Sequence, residues 1–398
     1  MNNAQKDIIN WLDYLLVFMM IATSGIMFFY KNDEYIIIGF LISAILFVYR
    51  KHQFTTTIAI ILILFLSLEL LQMLWYRNFS VKTSIGTAAR LLFAFFVIKV
   101  VNKKFVSSYV NILYFLALVS FFFYLLIFIP PVTTYIINSI TPFFKPLFPI
   151  AEGRYQYMPN VIIYNYNLEH VQWLRNSGPF WESGVFSIYL NIALMLNTIA
   201  MGTLFNRKNI VFILAILTTF STTGYIALFF FVLMYYLFDR KVKYKLIYLI
   251  IFGTVAVYAY YNVAFLSSKV EDNIARSERS TGTRFGSALA DLKLFAKQPI
   301  LGYGRSILNR FGTTDMADFM HRNNGVTGLL TQYGLIIFIV YFLFYYLSFV
   351  RLTRIYGATI NFAAVFLTMI LIMGFTQRVF AFPFFLGLMF LQDLDSGE

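Results

Sequence analysis

The sequence contains no cysteine. That excludes disulfides, thiolate metal sites and cysteine nucleophiles. Its three histidines, His52, His170 and His321, are too widely scattered for a zinc-binding HExxH or HxxxH helix, and no cofactor is expected. Charge is scarce as well: 12% of the 398 residues are charged, against roughly 25% in an average soluble domain. Eighteen acidic and 31 basic side chains cannot clothe a soluble fold of this length. A soluble globular protein and a disordered chain are thereby excluded. Heptads, long internal repeats and low-complexity tails are also missing, and no nucleic-acid partner is expected. What fills the chain instead is apolar. Hydrophobic residues make up 60%, with 47 Phe and 28 Tyr, and the composition reads as an all-α polytopic membrane protein.

A helix crossing about 30 Å of hydrocarbon needs about 20 mostly apolar residues. Spans are expected near 8–29, 35–49, 55–75, 85–101, 106–130, 184–204, 245–264, 326–349, 358–375 and 379–392. The stretch 209–238 carries Ser221-Thr222-Thr223-Gly224 in its middle and reads as one long helix or two short ones. Charge placement favours two, because short cytoplasmic loops collect Lys and Arg. With the N-terminus inside and a double crossing, the inner side receives Lys6, Arg50, Lys51, Lys99, Lys103, Lys104, Arg207, Lys208, Arg240, Lys241, Lys243, Lys245, Arg351 and Arg354. The short outer connections keep only Lys31, Arg77, Lys82, Arg90 and Arg378. The expectation is a single transmembrane domain over 1–398, with about twelve helices and both termini cytoplasmic. The first apolar run is too long for a signal-peptide core and is expected to stay as a span.

Two segments, 131–181 and 265–325, are too polar to span and fall on the outer face in this topology. Loops of this length are usually functional. The second carries nine basic residues (Lys269, Arg276, Arg279, Arg284, Lys293, Lys297, Arg305, Arg310 and Arg322) against six acids, on the side where few are expected. They form either a solvated surface or a set of arginines converging on an anion, a task suited to the planar, bidentate guanidinium. Between Gly282 and Gln298 the apolar residues Phe285, Ala288, Leu289, Leu292, Phe295 and Ala296 follow helical spacing. Thr281 or Thr283 would cap this helix and Pro299 would end it. It is expected to lie on the membrane surface or to pack over the bundle. Arg284 falls in its first turn, where backbone N–H groups favour an anion. Asp291 lies two turns on, as a partner for a nearby cation. Gly302-Tyr303-Gly304 reads as a turn.

The first loop ends in Arg175-Asn-Ser-Gly178-Pro-Phe-Trp181-Glu182-Ser-Gly184. The second contains Gly282-Thr-Arg284, Pro299-Ile-Leu-Gly302-Tyr-Gly304 and His321-Arg-Asn323-Asn324-Gly325, ahead of Leu329-Leu-Thr-Gln-Tyr333-Gly334-Leu. Their order resembles the bacterial O-antigen polymerase and O-antigen ligase superfamily, over about 175–340. The Gly-Pro-Phe-Trp-Glu entry looks more like the polymerases. The resemblance implies a GT-C-like glycosyltransferase of the bacterial inner membrane that uses neither nucleotide sugar nor metal. Its donor would be a glycan on polyprenyl pyrophosphate. Its acceptor would be a second lipid-linked repeat (polymerase) or a lipid core sugar (ligase). Membrane lipids and a chain-length regulator protein are the other implied partners.

That chemistry asks for fixed positive charge where pyrophosphate leaves. Arg284 fits it, with Arg175, Arg276, Arg279 and Arg305 as further ligands. The acceptor hydroxyl needs a base, His321 or Glu182. Glu182 reads equally as a helix-capping acid, and His321 as an interfacial side chain. Arg154 and His170 in the first loop, and Asn324 beside His321, complete the candidate substrate contacts. A lipid flippase or polysaccharide transporter is the rival class. It would place ionisable groups near the bilayer midplane, whereas Glu69, Arg90, Glu182 and Arg378 fall toward the outer ends of spans.

Overall fold

The computed structural model describes residues 3–30, 32–79, 81–144, 160–166, 174–238, 244–262, 283–312 and 322–395. The chain is mostly helical, at 76%. The principal helices are α1 (Asn3–Gly25), α2 (Asp33–Tyr49), α3 (Thr56–Tyr76), α4 (Val81–Val101), α5 (Lys104–Ile127), α6 (Ser183–Met201), α7 (Arg207–Thr218), α8 (Thr222–Phe238), α9 (Lys245–Asn262), α10 (Arg284–Phe295), α11 (Gly325–Ile355) and α12 (Asn361–Gly374). Among the described residues, α3, α4, α5, α6 and α11 are long and apolar enough to cross a membrane. Trp11–Gly25, α8 and α12 are shorter apolar helices. This is the pattern of a polytopic membrane protein. Contacts divide the chain into two compact units, one of 1–52, 96–229 and 394–398, the other of 53–95 and 230–393.

In the first unit α6 is buried along nearly its whole length, its polar Ser187, Asn191 and Asn197 included. Tyr109 of α5 donates its hydroxyl to the Tyr189 carbonyl of α6 (2.9 Å). A short antiparallel pair, β1 (Asn160–Val161) and β2 (Tyr164–Asn165), lies in the first polar loop. Its Tyr164 stacks on Phe123 of α5. The basic residues assigned to the inner side act as clamps. Arg50 (2.7 Å) and Lys104 (3.4 Å) hold the buried Asp13, and Lys99 (3.5 Å) and Asn102 hold Asp395. The stretch 209–238 is two helices, α7 and α8, broken at Thr219–Ser221, where Phe220 takes a positive φ of 45°. At about 1.5 Å per residue, the 12 residues of α7 fall well short of 30 Å.

In the second unit α11 is broken once, at Gly334, whose φ of 71° and ψ of 176° leave the helical region. The Pro299–Gly304 turn docks into that break. Tyr303 N–H donates to the Thr331 carbonyl (3.0 Å), Gly304 N–H to Gln332 (2.8 Å), and Leu335 N–H to Pro299 (2.8 Å). Both glycines are required by closeness: a Cβ on Gly334 would stand 2.0 Å from the Ile300 carbonyl oxygen, and one on Gly302 2.6 Å from that of Gln332. Two motifs that read as separate turns in the sequence are therefore two halves of one backbone joint.

One expectation is corrected here. The span expected at 379–392 is a five-residue α-helix, Pro383–Gly387, running into a 3-10 turn, Leu388–Asp393. Its poorly paired backbone is satisfied from α11: Tyr341 donates to the Phe380 carbonyl (2.8 Å), Tyr345 to Phe385 (2.7 Å) and Ser348 to Met389 (2.8 Å). Irregular backbone persists inside apolar surroundings only where protein groups replace water. The helix α10 agrees with expectation in position. It forms where expected, with the Thr283 hydroxyl accepting the Gly286 N–H (3.0 Å) as its cap. Its apolar stripe, however, faces out: Phe285, Leu289 and Leu292 are exposed, while Gly286, Ser287, Ala288 and Asp291 are buried. Small residues let α10 approach Thr327, Gly328 and Thr331 of α11 closely, as in helix pairs surrounded by lipid.

Candidate functional site

The site is built around Asp291 on the buried face of α10. Its carboxylate is fully buried. It accepts a hydrogen bond from Arg310 Nη2 and one from the Thr327 hydroxyl (3.0 Å), and it pairs with Arg322 Nε at 3.8 Å. Thr331 ties its backbone carbonyl down (3.0 Å). A third guanidinium, Arg378, comes from the turn after α12. A Cβ on Gly328 would lie 3.7 Å from Arg378 Nε and 3.9 Å from Asp291 Oδ2, so both charges face one gap beside a glycine. Arg378 is solvent-accessible, with protein groups crowding its guanidinium. That setting pushes its pKa below the ordinary value, with Arg310 adding to the shift, Asp291 opposing it, and Arg322 and Arg305 adding further. Burial likewise pushes Arg322 down; Asp291 opposes this and Arg310 adds to it.

One carboxylate thus faces three nearby arginines, with Arg305 completing the field. The guanidiniums are incompletely used. Among the described residues, Arg310 Nε and Arg322 Nε and Nη1 are buried and have no hydrogen-bond partner. Phe311 offers its ring to both, 5.2 Å from the Arg310 guanidinium carbon and 5.6 Å from that of Arg322, a cation–π contact that tolerates a buried charge. Unmet donors on nearly buried cations are costly, and an oxyanion with several acceptor oxygens would satisfy them.

Arg305 links this cluster to a second group. Its Nη1 donates to the Thr87 hydroxyl (2.9 Å), which in turn reaches Glu69 Oε1 (2.8 Å). Arg90, Arg305, Tyr333, Tyr341 and Phe380 line one small cavity.

The expected site residues divide between the units. Arg284 is the first residue of α10, two turns before Asp291. Asn324 caps α11: its Oδ1 accepts the Thr327 N–H (3.0 Å), and its buried Nδ2 has no partner among the described residues. These two and Arg305 belong to the second unit. Arg175 and Glu182 belong to the first. Arg175 donates from Nε and Nη2 to the Thr219 and Phe220 carbonyls (3.2 and 3.0 Å), capping the broken end of α7. Glu182 occupies the N-cap of α6, where its side chain makes no capping hydrogen bond. Arg154, His170, Arg276, Arg279 and His321 lie outside the described residues. Of the four clustered arginines, sequence reasoning selected only Arg305. Arg310, Arg322 and Arg378 carried a readable signal, being basic residues on the side where the positive-inside pattern places few.

No protein family matches the chain, and neither the curated proteins nor the solved structures give a match.

Proposed function

We propose that this protein is a twelve-span, GT-C-like glycosyltransferase of the bacterial inner membrane. It joins polyprenyl-pyrophosphate-linked oligosaccharide repeats into a surface polysaccharide on the outer face. The observation that carries the reading is the group of arginines, Arg310, Arg322 and Arg378 with Arg305 beyond them, gathered near the buried carboxylate of Asp291, with guanidinium donors of Arg310 and Arg322 left over among the described residues. In the reaction the acceptor oxygen attacks the anomeric carbon of the donor. The bond from that carbon to the pyrophosphate oxygen breaks, and its electron pair moves onto the phosphate oxygens. Arginines fixed in low dielectric stabilise that charge as it grows. Arg284, with the backbone N–H groups at the start of α10, extends the same field. The acceptor hydroxyl loses its proton to a base, a role that falls to His321 or Glu182. Arg154, Arg175, Arg276, Arg279 and Asn324 stay as proposed substrate contacts.

Deletion of the gene, followed by gel analysis of surface glycan, tests this reading. A single repeat on the lipid core marks loss of a polymerase. Accumulated lipid-linked polymer with bare core marks loss of a ligase instead. Repeats retained on the inner face would mark a flippase.

A further inference from the structure

A second cavity of the same unit also has Arg305 in its wall. It is lined by Glu69, Gln72, Asn78, Ser84, Arg305 and Asn309, among others. Glu69 projects from α3 about 10 Å before the helix end at Tyr76, counting 1.5 Å per residue. An ionisable side chain at such a depth in an apolar helix is costly and marks function by default. Only 5% of Glu69 is exposed. Its Oε1 accepts from Thr87 (2.8 Å), while its Oε2 is buried without a partner among the described residues. The cavity walls are otherwise tightly braced. Asn78 Nδ2 donates to Ser306 Oγ (2.8 Å) and Asn309 Oδ1 (2.9 Å), Asn309 Nδ2 to the Tyr303 carbonyl (3.2 Å), and Gln72 Nε2 to the Leu301 and Gln332 carbonyls (2.6 and 2.9 Å). The room inside is about 30 Å³, enough for about two waters or the hydroxyl groups that would replace them.

The chemistry of this wall differs from that of the arginine cluster. One carboxylate and one guanidinium cancel, and apart from Met73 and Gly304 the remaining side chains are amides and hydroxyls. Such a set suits a neutral polyhydroxyl compound, and an anion would be repelled by Glu69. We infer that the Glu69–Thr87–Arg305 relay is a sugar-hydroxyl subsite, in which Glu69 Oε2 accepts hydrogen bonds from hydroxyls of the acceptor glycan. The sugar class rests on the glycosyl-transfer reading. The cavity and its unmet carboxylate oxygen do not. Because Arg305 is shared by both groups, the subsite would hold an acceptor beside the leaving pyrophosphate. Glu69 is thus a binding residue.

The test uses the full chain in lipid nanodiscs, titrated with methyl glycosides of glucose, galactose, N-acetylglucosamine and N-acetylgalactosamine and followed by saturation-transfer NMR. At least one glycoside should bind. Glu69→Gln should weaken it about tenfold or more, the effect of losing a charged hydrogen-bond acceptor. Ser84→Leu, which fills the cavity and leaves Glu69 in place, should weaken it similarly and guards against a misfolded Glu69 variant. The inference is overturned if no glycoside binds the wild type, or if both variants bind as the wild type does. A chain that binds a glycoside through Glu69 but forms no glycosidic bond keeps this subsite and loses the polymerase reading. A chain that polymerises, with acceptor affinity unchanged in Glu69→Gln, does the reverse.

Discussion

Replacing Asp291 with alanine removes the one carboxylate that pairs with Arg310 and Arg322 among the described residues. At an effective dielectric of about 20, a pair at 3.8 Å carries about 4 kcal/mol of Coulomb attraction, and the desolvation of both ions offsets much of it. The alanine variant does not recover that desolvation, because the arginines stay buried and now repel one another. Breaking a buried pair in this way typically costs about 3–5 kcal/mol. At roughly 2 °C per kcal/mol for a chain of this size, Tm should fall by about 6–10 °C, read by scanning fluorimetry of the protein in nanodiscs. Inorganic pyrophosphate should then raise the Tm of Asp291→Ala more than that of the wild type, since an anion can take the vacated place. At a hundredfold excess over Kd it would return about 2.7 kcal/mol. An Asp291→Ala protein melting within 1 °C of the wild type, or one on which pyrophosphate has no greater effect, would refute the view that this carboxylate holds an anion site together.

Reporter fusions after residues 150 and 300 should both indicate the outer side and a fusion after 242 the inner side; an outward 242 would undo the double crossing at α7 and α8. Arg284→Ala and Arg284→Lys should both abolish chain extension at normal protein levels, because lysine keeps the charge but not the bidentate fork; normal polymer from Arg284→Ala removes it from the site. His321→Ala should fold but extend chains about 10²–10⁴ times more slowly, and the wild type should lose activity as pH falls through the ordinary histidine range, where a base becomes protonated. Near-normal activity of His321→Ala beside an inactive, well-expressed Glu182→Gln would move the base role to Glu182.

Helix positions were largely legible in the sequence, because length and hydropathy decide them. Most expected spans lie within a few residues of a helix, and the polar knot near Ser221 does mark a break. Faces were harder to read. In a soluble protein Phe285, Leu289 and Leu292 would turn inward. In a chain surrounded by lipid the outside is apolar too, so small and polar residues such as Gly286, Ser287 and Asp291 can take the packed side. The broken backbone at 383–393 hid behind an apolar run, and its compensation by Tyr341, Tyr345 and Ser348 depends on partners some 40 residues away. The anion cluster was legible only as an excess of basic residues. Choosing Arg310, Arg322 and Arg378 from that excess required knowing that α10 presents Asp291 to α11.

The most direct measurement supplies the purified protein, reconstituted in liposomes with EDTA present, with a single polyprenyl-pyrophosphate-linked repeat unit and separates the products by size. The account predicts a ladder of repeat multiples with release of polyprenyl pyrophosphate, lost in Arg322→Ala and Arg378→Ala variants of normal stability. Movement of intact repeats across the bilayer with no longer product, or a ladder undiminished by both substitutions, would contradict it.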